Sequence, residues 1–531
     1  MLAAKPPMKD VRDSAVTTVM PALAGLLRRF TSAVVLRSLL FVAIFSLAAV
    51  PPLDPDLWWH LANGRLIATT ASIPHVDLYS FSAAGQPWVM HEWLADLGMY
   101  GLYQLGGLPL LVATGALVVT AAALCLYHLL RGGGLHPSAA VGLTLVGALA
   151  GSTAWGARPQ LLNLLFTGLL LVGLMRYREH HLRAWLLPPF IWLWANLHSG
   201  FLVGVIISLL FVLGEALDAR LGRATPMAWP RIRALALAVG AGAALALVNP
   251  FGIQTVLFPL GTLTSPLIQN NIQEWASPDF HSTAGLMLEV VLFLMVAGLA
   301  TRRVTARSSE WLLAFALLYL GLASQRNVPL FILGAAPLAG RCTQALLQLA
   351  AEITPVSRRS MAEAALRWTP PRPAAPGLAL GAINFALLLL VGGGMIGYRA
   401  LPNLQPATEA AAISANLPVD ATAALQRTGR PVRIFNYYDY GGYLVWRLYP
   451  DGGRVFIDGR VEVYGSRIFS EYLQVSYLGE GWPAVITRSN PDAIVMPSSH
   501  PLVGLLQRDP SWQVLTRDRV ATVFTRVGFA P

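Results

Sequence analysis

The sequence predicts a polytopic α-helical membrane protein of about eleven transmembrane helices, followed by a small extracytoplasmic α/β domain at the C-terminus. Three observations carry that fold class. The 531 residues are 55% hydrophobic and only 12% charged, with a mean hydropathy of +0.55, whereas soluble domains are roughly a quarter charged. Apolar runs recur along the chain, each near the length that crosses about 30 Å of hydrocarbon. After Tyr398 the composition returns to ordinary polarity for the remaining residues, 399–531.

The chain begins with a polar, basic tail, 1–37, that includes Arg28, Arg29 and Arg37. The first apolar run, 38–53, reads as a retained anchor, because the basic region before it is too long for a signal peptide and no small-x-small cleavage site follows a short apolar core. The further spans are 108–130, 137–154, 161–175, 185–197, 201–217, 232–248, 284–300, 311–323, 328–339 and 378–398. A Pro- and Arg-containing segment, 352–376, reads as a linker before the last of them. Cys125 and Cys342 both lie within or beside apolar segments, so no disulfide framework is expected.

The formal charge of +11 does not point to nucleic acid. Its carriers are Arg except for Lys5 and Lys9, and they sit in short connections between apolar runs. With the N-terminus in the cytoplasm, the inside connections hold Arg131, Arg176, Arg178, Arg183, Arg220, Arg223, Arg231, Arg233, Arg302, Arg303, Arg307 and Arg341, and also Arg358, Arg359, Arg367 and Arg372. The outside connections then hold only Arg65, Arg158 and Arg326, which is the positive-inside pattern. A bacterial inner membrane is the expected location. The spans are nearly free of ionisable residues and show no internal repeat, which disfavours an ion-coupled carrier.

One outside connection, 51–93, concentrates the polar chemistry. It holds Asp54, Asp56, His60, His75, Asp77, His91 and Glu92 together with Trp58, Trp59, Trp88 and Trp93. Ordinary connections between spans are short and poor in aromatic residues. Other polar clusters fall on the same face: Arg158 and Gln160, Asn196 and His198, 249–254, Gln273 and Glu274, and 325–327. The Trp residues suit either a sugar-stacking role or an interfacial aromatic belt. Asp54 is placed to cap a helix starting after Pro55, which leaves Asp56 as the stronger candidate base.

The C-terminal residues 399–531 read as alternating helices and short strands. ATEAAAISANL with the residues after it, GGYLVWRLY, RIFSEYL and PLVGLLQ have helical patterning, and RIFN, RVFID, DAIVMP, WQVLTR and ATVFTR have strand patterning. YYDYGGYLVW and FIDGRVEVYG lie at ends of strand-like runs, where binding loops collect.

Asp56, Trp58, Trp59, His60 and Arg65, just after an N-terminal span, resemble the first external loop of the C-type (GT-C) integral-membrane glycosyltransferases, which move sugars from polyprenyl-phosphate carriers. The run SIPHVDLYSFSAAGQPW is similar to the corresponding loop of the protein-mannosyltransferase-like branch. Tyr437 to Gly441 resembles the WWDYG acceptor motif of oligosaccharyltransferases, with Tyr in place of both Trp, and Ile272 to Glu274 resembles their Glu-bearing motif in a late external loop. The second acidic motif of oligosaccharyltransferases has no counterpart near Arg158.

The resemblance implies transfer of a sugar from a polyprenyl-phosphate-linked donor to an extracytoplasmic glycan, lipid or protein acceptor. Such a reaction needs a base on the acceptor hydroxyl and positive charge on the leaving phosphate. Asp56, with Asp54 as the alternative, is the expected base, and Arg65, Arg158 and Arg326 are the expected phosphate ligands. Trp58, Trp59, His60, His75, Asp77, His91, Glu92, Glu274, Tyr438, Asp439 and Tyr440 are the expected sugar or acceptor contacts. Asp56, His60, Glu92 and Glu274 include types that ligate magnesium or manganese, but no spacing requires a metal. The alternatives are a carrier or flippase for a lipid-linked precursor and a noncatalytic envelope-assembly protein.

Overall fold

The computed structural model describes residues 24–223, 225–263, 266–353 and 377–529. Most of the expected tail 1–37 and nearly all of the expected linker 352–376, with Arg358, Arg359, Arg367 and Arg372, lie outside the described residues.

The helical region runs through α1 (Ser32–Ala48), α2 (Asp56–Thr70), α3 (Trp93–Gly132), α4 (Pro137–Ala150), α5 (Gln160–Arg178), α6 (Leu187–Leu197), α7 (Phe201–Arg220) and α8 (Trp229–Leu245). It continues with α9 (Gln254–Leu263), α10 (Pro266–Asn271), α11 (Thr283–Ala300), α12 (Ser308–Ala323), α13 (Val328–Ile353) and α14 (Leu378–Asn403). Every expected apolar run falls on one of these helices. By length and composition six described helices suffice to cross a membrane: α3, α5, α7, α11, α13 extended back to Gln325, and α14. Helices α1, α4 and α12 are shorter apolar helices.

Segment 51–93 is not a loop throughout. Its sequence DLWWHLANGRLI mixes large apolar residues with His60 and Asn63, and α2 buries Leu57 to Gly64 and Ile67, the two polar side chains being paired with Asp96. Asp54 Oδ1 accepts the Asp56 N–H at 2.9 Å and starts the helix, and Ala71 at φ 52° ends it. The next helix also begins earlier than the apolar run 108–130. It starts at Trp93 and bends at Gly106 and Gly107, where φ of 66° at Gly107 is a conformation that side-chain-bearing residues avoid. The half before the bend packs on α2: a Cβ at Gly64 would collide with the Asp96 carbonyl, so only glycine allows the two helices to approach this closely.

The C-terminal region comprises α15 (Pro406–Asn416), α16 (Val419–Arg427), β1 (Arg433–Asn436), α17 (Gly441–Leu448), β2 (Arg454–Val455), α18 (Val461–Ser476), α19 (Trp482–Ser489), β3 (Ala493–Pro497), α20 (Pro501–Leu506), β4 (Trp512–Arg517) and β5 (Ala521–Arg526). The five strands form one mixed sheet in the order β2-β1-β3-β5-β4. β1 runs parallel to β2 and β3, and β5 is antiparallel to β3 and β4.

Segment 51–93 and the C-terminal domain share one hydrophobic core, in which Leu57, Trp58, Leu61 and Tyr79 pack with Tyr443, Leu444, Val455 and Phe456. The connection also extends the sheet. Ser80 bridges Val455 in parallel, with the Phe81 N–H donating to the Val455 carbonyl at 3.0 Å and the Val455 N–H to the Tyr79 carbonyl at 3.1 Å. The otherwise open edge of β2 is thereby paired.

Candidate functional site

Three short 3₁₀ turns, Ser152–Ala154, Gln273–Trp275 and Gln325–Asn327, gather at the end of the helical region that faces α2. Hydrogen bonds hold the last two together: Ser324 Oγ donates to the Glu274 carbonyl at 2.9 Å, and Gln325 Nε2 to the Gln273 carbonyl at 2.7 Å. Sequence places these residues far apart, and the turns bring Arg158, Glu274 and Arg326 to Asp54 and Asp56.

Arg158 is the hub of the acidic group. Its Nε lies 3.2 Å from Asp54 Oδ2 and its Nη1 3.8 Å from Asp56 Oδ2, and its Nη2 donates to Glu274 Oε1. The roles of the two candidate bases diverge here. Asp54 spends one oxygen on the Asp56 N–H and faces Arg158 with the other. Asp56 Oδ1 accepts the Trp59 Nε1 hydrogen at 2.9 Å, while Oδ2 faces the cleft, where the side chain keeps 32% of its surface accessible. Crowding in the cleft, and next the charge of Asp54, raise the Asp56 carboxyl to about 7; Arg158 and His60 oppose them.

Arg326 lies over the Trp275 ring, 4.8 Å from its centroid. Among the described residues its guanidinium has no hydrogen-bond acceptor or carboxylate partner, although Glu274, Arg158, Glu92 and Asp56 are its charged neighbours. Arg65 is elsewhere: it donates to the Trp446 carbonyl at 2.8 Å and stacks on that indole at 4.1 Å.

Behind Asp56 lies a buried histidine–carboxylate cluster. Glu92 Oε1 is 3.2 Å from His198 Nε2 and 3.6 Å from His91 Nε2, and Oε2 is 3.7 Å from His60 Nε2. His60 Nδ1 meets Asp96 Oδ1 at 2.6 Å, and Asn63 Nδ2 donates to Asp96 Oδ2 at 2.8 Å. His198 Nδ1 accepts the Gly200 N–H at 2.8 Å, so Nε2 carries the ring proton toward Glu92. Burial lowers His198 to about 4 and keeps it neutral. Burial alone would raise the Glu92 carboxyl, but His91, His198 and His60 hold it well below the usual carboxylate range.

The C-terminal domain roofs the cleft. Gly459 lies directly against the Asp56–Trp59 pair, where a Cβ would collide with Asp56 Oδ1. Gly442 approaches the Pro55 carbonyl equally closely. The Tyr438 N–H donates to Tyr472 Oη at 3.0 Å, and the Tyr438 hydroxyl points at the Gly459 carbonyl, 3.5 Å away. Burial and then the charge of Asp56 raise the Tyr438 phenol, so it remains a neutral donor. Asp439 is exposed at the rim.

Other expected contacts are committed to structure. Tyr440 is buried and donates to the Val520 carbonyl at 3.1 Å. Trp58 is buried edge-on to Tyr443 at 5.0 Å. His75 is exposed beside Phe251. Asp77 is wholly buried, accepts from Ser80 Oγ at 2.6 Å, and pairs with Arg460 at 2.9 Å. Arg460 in turn meets Asp458 at 2.6 Å and lies over Trp88 at 4.5 Å. Sequence reasoning missed Asp96, Asp458 and Arg460. Gly459 and Arg460, within FIDGR, carried a signal in that a glycine and a charge follow a strand-like run; Asp96, inside an ordinary helical stretch, carried none.

Among the described residues no group of three or more His, Cys, Asp or Glu is arranged to hold a metal ion. Of the expected ligands, Asp56 and Glu274 converge on the Arg158 guanidinium, while His60 and Glu92 belong to the buried cluster. That arrangement does not fit a shared ion.

No family model and no curated protein matches this chain. Solved structures do match it. The oligosaccharyltransferase of Archaeoglobus fulgidus, tethered with an acceptor peptide containing an NVT sequon, aligns at a TM-score of 0.51 and 14% identity, covering 88% of this chain and 69% of that one. The archaeal oligosaccharyltransferase AglB from Archaeoglobus fulgidus, in complex with an inhibitory peptide and a dolichol-phosphate, aligns at 0.51 and 12% identity over 87% and 69%. ArnT from Cupriavidus metallidurans, bound to undecaprenyl phosphate, gives 0.44 and 16% identity over 93% and 97%. The chain has the fold of the C-type integral-membrane glycosyltransferases.

Proposed function

We propose that the chain is a glycosyltransferase that moves a sugar from a polyprenyl-phosphate-linked donor to a hydroxyl-bearing acceptor on the outer side of a bacterial inner membrane. One observation carries the reading: Asp56 Oδ2, approached only at 3.8 Å by Arg158, belongs to a side chain that keeps 32% of its surface accessible, and the neighbouring Arg326 guanidinium has no hydrogen-bond acceptor or ion-pair partner among the described residues. Asp56 Oδ2 takes the acceptor proton as the acceptor oxygen bonds to the anomeric carbon. The bond from that carbon to the phosphate oxygen breaks, and the polyprenyl phosphate leaves with the electron pair. Arg326 meets the charge that develops there. Arg158 keeps Asp54, Asp56 and Glu274 together. Tyr438 and Asp439 line the acceptor side.

All eleven apolar helices cross the membrane in this reading, with the N-terminus in the cytoplasm and the C-terminal domain outside. The arginine distribution supports it. So does the likeness in fold to an oligosaccharyltransferase solved with a dolichol-phosphate and a peptide.

The test is mass spectrometry of polyprenyl-linked sugars and envelope glycans in cells carrying wild type, a deletion, or Asp56→Asn. Accumulation of one lipid-linked sugar and loss of one glycan in both mutants is the expected result. Asp56→Asn cells that match wild type while the deletion alters the lipid-linked pool would remove Asp56 as base and favour a carrier.

A further inference from the structure

The buried cluster behind Asp56 is more elaborate than packing requires, and none of its members reaches the cleft as a reactant. We propose that Asp96 is a positioning residue for the transfer: acting through His60 and Trp59, it determines which oxygen of Asp56 meets the acceptor. The inference rests on Asp56 being the base and adds the device that orients it.

The chain of contacts is continuous. Asp96 is fully buried. One of its oxygens takes the His60 Nδ1 hydrogen at 2.6 Å and the other the Asn63 amide at 2.8 Å. The glycine at 64 lets the two helices approach closely enough for that short bond. The other ring nitrogen of His60 faces Glu92 at 3.7 Å, so carboxylates hold the imidazole from both sides. Glu92 is itself fixed by His198 and His91. Both nitrogens turn toward carboxylates: burial opposes a charge on His60, but Asp96, Glu92 and Asp56 outweigh it and raise the imidazole above its ordinary value.

The consequence falls on Trp59. The His60 ring lies 3.6 Å from the Trp59 ring with a 33° tilt, close enough to dictate the plane of the indole. That plane aims Nε1–H at Asp56 Oδ1, 2.9 Å away. Gly459 closes over the same oxygen from the other domain. Oδ1 is thereby spent, and Oδ2 is left for the acceptor proton. The cluster also accounts for two buried carboxylates, Asp96 and Glu92, and two buried histidines, His60 and His198, that the transfer itself does not use, because burying an ion pair incompletely is costly.

The test uses the full chain, labelled with ¹⁵N-tryptophan, in lipid nanodiscs. The Trp59 indole cross-peak is assigned by its loss in Trp59→Phe. Asp96→Asn and His60→Asn, the latter keeping a donor toward Asp96 while removing the ring, should both move that cross-peak away from its hydrogen-bonded position. Both should also slow discharge of the cell's lipid-linked sugar roughly tenfold, as misplacement of a reacting group does. Binding of undecaprenyl phosphate, used as the probe, should stay near wild type, while the thermal midpoint falls because each variant leaves a buried ion group incomplete.

An unmoved cross-peak in both variants overturns the proposal. So does a moved cross-peak with undiminished transfer. The two readings fail separately: transfer that survives Asp56→Asn removes Asp56 as base, whereas transfer lost in Asp56→Asn but intact in Asp96→Asn removes only the positioning role.

Discussion

At the scale of single residues, Asp54 and Asp56 show how neighbours divide two similar carboxylates. Both lie in the same five-residue stretch, and the sequence offered either as base. Asp54 is consumed by a helix start and by Arg158, whereas Asp56 keeps one oxygen toward the cleft. Its carboxyl is raised to about 7, first by burial and then by Asp54, and the proposed role as base requires the deprotonated form. Transfer measured in membranes between about pH 5 and pH 9 should rise about tenfold per unit and level off above about 7. Folding stability carries the opposite sign. The fold favours the neutral acid, so this group contributes most below the ordinary carboxyl range near 4, and its contribution is lost as pH rises through about 7. Arg326 makes a second prediction. Without a carboxylate of its own it is available to a phosphate, and Arg326→Gln should weaken binding of undecaprenyl phosphate about tenfold to hundredfold, the worth of one charged hydrogen-bond set. Equal affinity in titrations of variant and wild type would place the phosphate elsewhere. Arg65, which also breaks the positive-inside trend, is held by Trp446 instead, so its neutralisation should loosen domain docking before it affects the phosphate.

At the scale of elements, most of the C-terminal domain was legible. ATEAAAISAN, GGYLVWRL and PLVGLL are helices, and RIFN, AIVMP, WQVLTR and ATVFTR are strands, because their apolar periods are unambiguous. RVFID pairs only through Arg454 and Val455, since the rest becomes the turn that brings Gly459 to Asp56. The helical reading that begins at ATEAAAISANL and continues beyond it divides into α15 and α16 at Leu417 and Pro418, and α19 went unread because it is short and bounded by turn-forming residues. Segment 51–93 carried a site signal but not its shape: α2 is buried on every side, so it shows no amphipathic stripe to announce a helix. The turn at Gly459 yields the prediction for this scale. Gly459→Ala would set a methyl against Asp56 Oδ1 and the Trp59 indole. Transfer should fall by at least tenfold while the circular dichroism spectrum and undecaprenyl phosphate binding are kept; full activity would show that the contact of the two domains at Asp56 Oδ1 does not bear on transfer.

At the scale of the whole molecule, the helical region and the C-terminal domain are joined by three devices acting together: a shared apolar core, a borrowed strand at Ser80, and the fully buried Asp77–Arg460–Asp458 ion group. Arg460→Met leaves two buried carboxylates without a counter-charge, a change that costs about 3–5 kcal/mol. Docking should loosen, and limited proteolysis should cut between α14 and α15 faster than in wild type; an unchanged digestion pattern would deny the ion group that role. The apolar runs, their arginine-marked ends and the polarity change after Tyr398 were enough to establish a membrane-embedded helical chain with an α/β appendage. They were also enough to single out Asp54, Asp56 and the aromatic residues beside them, because composition and period are local properties that burial imprints directly on the chain. Partnership is not local. Arg158 reaches Glu274 across more than a hundred residues, Asp77 is spent on Arg460 and not on a sugar, and Asp96 comes under His60 only because a glycine lets two helices meet. Which charges pair, and which one is left free in the cleft, is decided by three-dimensional distance alone, since electrostatic and hydrogen-bond energies fall off over a few ångströms while sequence separation leaves no trace of that distance.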